Sequence, residues 1–176
     1  MPGKYVEDRE WSDLYIPAVK QIVGPLLLEE TSFEVDTNQA ADLIVMKARD
    51  MMIAARVRRP GYAERYPWEF TIRSYRDNGT KTEMQKIVDG FGDWMFYGHA
   101  GIVPGEIDRW FVIDLAKFRA GLIRNAFKSD PLDGREIWWG EKSNNDGTRF
   151  CWFDVQKFPA NILIKTSHPI TEAVAV

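Results

Sequence analysis

Two runs of alternating character, MMIAARVRR (residues 51–59) and WEFTIRS (68–74), bracket PGYAERYP, a segment closed by Pro60 and Pro67. Side chains point to opposite faces at successive positions of a strand, so alternation commits each run to one apolar and one polar side. In the first run Ile53, Ala55 and Val57 share a face, while Ala54, Arg56 and Arg58 share the other. In the second, Phe70 and Ile72 oppose Glu69, Thr71 and Arg73. If the two strands lie side by side on one core, a single polar face collects Arg56, Arg58, Glu69, Thr71 and Arg73. Arg59 and Arg65 then fall on the loop between them. Residues 51–90 carry eight Lys or Arg against five Asp or Glu, whereas the other positions carry 15 against 21. The basic character is therefore local, within a chain of net charge −3.

The remaining pattern predicts an α/β (α+β) fold, a single domain over residues 1–176, with a mixed central sheet flanked by helices and a C-terminal hairpin. Residues 11–30 place apolar side chains at 14, 15, 16, 19, 22, 23, 26 and 27, which is helical spacing broken by Gly24-Pro25. DLIVMKA and MMIAARVRR read as two strands joined by a tight connection at Arg49-Asp50. Thr80 and Glu83 form a capping-box pattern. The apolar stripe 84, 87, 88, 91, 94, 95 extends the helix it would start past Gly90 and Gly92. RWFVIDL is a buried strand, AKFRAGLIRNAF a helix, and REIWWGEKSNNDGTRFCWFDV a hairpin about Asn145-Asp146-Gly147. NILIKTS is a short final strand. Trp138-Trp139 puts one indole on each side of a strand, one for the core and one for the surface or a homodimer interface.

Several classes of chemistry are excluded by counts. One cysteine, Cys151, allows neither an intramolecular disulfide nor a multi-Cys zinc site, and within RFCWFDV it reads as a packed thiol. Two histidines, His99 and His168, exclude a His-rich centre, so a divalent ion would have to sit on carboxylates. Asp93 and His99 do not share a helical face, and His99 reads as a core or helix-end residue. No apolar run approaches the roughly 20 residues of a membrane span. The polar start MPGKYVEDREW has no signal-peptide core, so a cytoplasmic location is the expectation.

The order of elements, the Asp of ADLIV and the basic end of the next strand resemble the core of the PD-(D/E)XK nuclease-like superfamily over about residues 11–118, with 119–176 as a helix-and-hairpin extension. The chain also resembles small proteins of phage and prophage genomes. The resemblance places Asp42 at the first metal carboxylate and Arg58 at the lysine of the acidic-x-Lys motif, where Arg56 replaces the acid. It implies Mg²⁺ held by Asp42 and a displaced acid, Glu69 or Glu83, with Glu34 and Asp36 as further donors. Glu83 also has the capping role. Arg58 would stabilise charge on a phosphoryl transition state. Arg56, Arg58, Arg59, Arg65 and Arg73 would hold a nucleic-acid backbone, with Tyr62, Tyr66 and Trp68 interleaved for base stacking. Two functions follow as expectations: a nucleic-acid-associated protein on a nuclease-like scaffold, with or without metal-dependent phosphodiester cleavage, or a non-enzymatic module that binds a host protein complex.

Overall fold

The computed structural model describes residues 2–30, 43–45, 51–124, 127, 139–159 and 161–170. Helices α1 (Pro2–Asp13) and α2 (Ile16–Val23) open the chain, and a 3-10 turn, Gly24–Leu27, ends the second. Pro17 sits in the first turn of α2, where no backbone donor is lost. Strands β1 (Leu28–Glu30) and β2 (Leu43–Val45) form a small antiparallel pair.

The main sheet contains β3 (Ile53–Arg58), β5 (Trp94–Ala100), β6 (Ile107–Asp114) and β9 (Leu163–Thr166) in that spatial order. β3 runs parallel to β5 and the other pairs are antiparallel, so the sheet is mixed. A second, antiparallel sheet is ordered β4 (Glu69–Tyr75), β8 (Arg149–Asp154), β7 (Trp139–Ser143). The short helices α3 (Tyr62–Arg65) and α4 (Glu83–Val88) flank β4 in sequence, and α5 (Leu115–Ile123) follows β6.

Alternation along the main sheet explains how it is buried on both sides. Phe96 and Val112 pack with Val19 and Val23 of α2, joined by Ile53 and Val57. Their sequence neighbours Met95, Tyr97, Phe111 and Ile113 turn the other way and meet Phe70, Ile72 and Phe153 of the second sheet and Phe118 of α5. Both clusters share β5, β6 and β9, which makes the described elements one α+β domain with a mixed central sheet and a C-terminal hairpin.

Three local expectations are corrected. The stripe from Met84 to Met95 is not one helix: α4 ends at Val88, Gly90 and Gly92 take left-handed φ of 96° and 79°, and Trp94 begins β5. A strand buried on both faces loses its alternation and is apolar throughout, which imitates a helical stripe. The capping box is shifted by two positions. Thr82 accepts from the Gln85 N–H at 3.2 Å, and the Gln85 side chain accepts from the Thr82 N–H at 2.8 Å. Finally, β2 and β3 are not a hairpin, because β2 pairs with β1 and β3 pairs with β5.

Cys151 is buried and its burial pushes the thiol pKa up, which fits a packed thiol rather than a nucleophile. Among the described residues no helix is long and apolar enough to cross a membrane.

Candidate nucleic-acid interface

β3 and β4 do not lie side by side. They belong to different sheets, and their apolar faces serve different clusters: Ile53 and Val57 pack toward α2, Phe70 and Ile72 into the inter-sheet core. Their polar faces meet across the gap between the sheets. Arg56 Nη1 donates to the Thr71 carbonyl at 2.8 Å, and Arg58 Nη1 donates to Thr71 Oγ1 at 3.3 Å. The same Thr71 hydroxyl shares a 2.8 Å hydrogen bond with the buried Tyr97 hydroxyl. Facing side chains, rather than neighbouring ones, therefore gather the arginines.

Arg56, Arg58, Glu69 and Arg73 line one cavity of about 230 Å³, where Lys142 of β7 joins them. Tyr62, Tyr66 and Phe150 add ring surface to its walls. The Arg58 guanidinium lies over the Tyr62 ring, 4.2 Å from its centroid, and Lys142 stands 5.7 Å from the rings of Tyr66 and Trp152. Burial raises the Glu69 carboxyl pKa, against the opposing pull of Lys142 and Arg58. Burial is also the largest cause lowering the Arg73 pKa, followed by the nearby Arg76 and Arg56. An anion entering beside Arg73 would offset both its burial and the repulsion of its cationic neighbours.

The other expected site residues are distributed differently. Arg59 is held outside this cavity, paired with Asp8 at 2.9 Å and stacked 4.9 Å over Trp11. Arg65 ends α3 and lines a separate hollow with Glu64 and Tyr66. Glu83 is neither the capping acid nor a free ligand. Its Oε2 accepts from Arg56 Nη1 at 2.8 Å and from the Arg73 N–H at 3.2 Å, tying α4 to both strands. Asp42, with Glu34 and Asp36, lies outside the described residues.

A hard divalent ion takes several oxygen donors. Among the described residues no group of three His, Cys, Asp or Glu is arranged to hold a metal. Glu83 is committed to two donors, and Glu69 opens onto a different cavity from those Glu83 lines. The described residues do not fit a Mg²⁺ centre, and no hydrolytic step is assigned to them.

Lys142 is the participant that the sequence reading missed. Alternation in the hairpin fixes which face it occupies, but the pairing of β8 with β4 brings that face to Arg58, and this pairing joins residues more than 70 positions apart.

His99 is the core histidine the sequence suggested, on β5 instead of a helix, and is 1% exposed. Its cross-strand neighbours are Arg58 and Arg109, and neither ring nitrogen has a hydrogen-bond partner. Burial, then Arg58 and Arg109, push its pKa down to about 4. The unfolded chain protonates this ring near pH 6.5 while the folded one does not, so stability falls as pH drops from about 6.5 to 4, by about 3 kcal/mol in total. Urea midpoints measured across this window should decline, and His99→Gln should remove that part of the slope. An unchanged slope in the variant would refute the assignment.

Comparison with protein-family models, with curated proteins and with solved structures returned no match to this chain.

Proposed function

We propose that the protein binds single-stranded nucleic acid along the groove between the two sheets, holding the backbone through Arg56, Arg58, Arg73 and Lys142. The observation that carries this reading is the convergence of those four cations, from three strands of both sheets, on one cavity walled by Tyr62, Tyr66 and Phe150. Guanidinium groups recognise phosphate by paired hydrogen bonds, and aromatic faces accept bases without regard to sequence. An acidic chain with a local basic cleft suits a partner that enters the cleft better than a duplex lying on a broad positive surface.

Four phosphate contacts on a single strand give log Kd against log salt a slope of magnitude about 3. Affinity for a fluorescent oligothymidylate should therefore fall roughly fiftyfold between 50 and 200 mM salt. Fluorescence anisotropy measures this directly. Binding insensitive to salt, or no binding to single-stranded DNA or RNA at 50 mM, would overturn the proposal and leave a protein partner as the reading to pursue.

A further inference from the structure

A second cavity of about 360 Å³ adjoins the groove and differs from it in having an apolar floor. Ala54, Ile87, Met95 and Leu115 form that floor, and Phe91, 55% exposed, stands at its edge. Arg76, Lys81 and Lys86 line it as well, with Arg56 and Arg73 shared between this cavity and the groove. Glu83 is the acid among the lining residues and is already engaged by Arg56, while Lys81 is paired with Asp89 at 2.6 Å. Arg76 Nε is shut away from solvent without a hydrogen-bond partner, a donor of a kind that is seldom left unused.

An apolar floor, an aromatic edge and a cationic rim match the two halves of a nucleotide, a flat ring system and a phosphate. The volume falls within the roughly 300–1,000 Å³ usual for small-ligand pockets. The two shared arginines make the connection to the groove: a phosphate held between Arg56 and Arg73 leaves the adjoining nucleoside at the mouth of the second cavity. We propose that this cavity receives one base of the bound strand, lodged on the apolar floor against Phe91, with its flanking phosphate among Arg56, Arg73 and Arg76. The inference rests on the single-strand reading and adds to it a base-accepting subsite, so that the protein reads a nucleotide as well as a charged backbone.

The test uses two probes of equal length, an oligodeoxynucleotide and a base-free deoxyribose-phosphate oligomer. Ala54 is exposed on β3, so Ala54→Leu fills the floor without changing any charge. Phe91→Ala removes the edge ring from an exposed position and serves as the second variant, with thermal melting to confirm the fold of each. Each substitution should weaken the oligodeoxynucleotide about tenfold, the scale of one lost base stack, and leave affinity for the base-free oligomer unchanged. If folded variants bind both probes as the wild type does, or if the wild type binds both probes equally, the base subsite is overturned and the phosphate groove stands. If the wild type binds neither probe, the groove and the subsite fall together.

Discussion

Arg58→Glu combined with Lys142→Glu is expected to reduce affinity for single-stranded DNA by about 100-fold or more near 0.1 M salt, because two attractive contacts become repulsive ones beside Glu69. The salt slope should fall by about 1.4 or more in the same experiment. Arg59→Glu, one position along the chain, supplies the internal comparison. Arg59 is turned toward Asp8 and Trp11, away from the groove, so its reversal should change binding only modestly. Equal losses in the two proteins would show that the attraction is a diffuse field of the basic segment, and the groove would lose its special role.

The second large effect concerns the core that holds the two sheets in register. Phe70 is fully buried at the centre of an aromatic cluster, edge-on to Tyr97 at 5.4 Å and to Phe118 at 5.5 Å, with Phe153 and Phe158 at 6.1 and 6.3 Å. Phe70→Ala should destabilise the fold by about 3–5 kcal/mol, the usual cost of truncating a packed ring. That is a large share of the roughly 5–15 kcal/mol available to a domain. Phe70→Leu, which keeps most of the volume, should cost about 1.5 kcal/mol or less. Equilibrium urea unfolding followed by tryptophan fluorescence distinguishes them. A small loss on alanine substitution would mean that the inter-sheet core is looser than its ring geometry indicates. Because Thr71, next to Phe70, receives both Arg56 and Arg58, loosening this core should also weaken the groove.

How much of this was legible in the chain depends on where each interaction is made. The faces of β3 and β4 follow from alternation, a local property of extended backbone, so Ile53 with Val57 and Phe70 with Ile72 separate correctly from the arginines. The hairpin at Asn145-Asp146-Gly147 is local too, and Gly147 takes the left-handed φ of 80° that the turn requires. The β5 strand was hidden because both of its faces are covered, and an evenly apolar run carries no period to read. Glu83 was misread for a related reason: its partners Arg56 and Arg73 lie 27 and 10 positions away and reach it only through the packing of α4 against the strands.

The candidate site divides along the same line. Alternation and turn chemistry in the chain determined that Arg56, Arg58 and Arg73 would sit on polar strand faces. Tertiary structure alone decided that those faces would confront each other, that Lys142 would join them, that Arg59 and Arg65 would be directed elsewhere, and that Ala54 and Phe91 would border a hollow beside them. The physical reason is the range of the forces involved. Backbone sterics and hydrogen-bonding period act over a few residues, whereas the meeting of two sheets is set by apolar burial, which is non-directional and indifferent to separation along the chain.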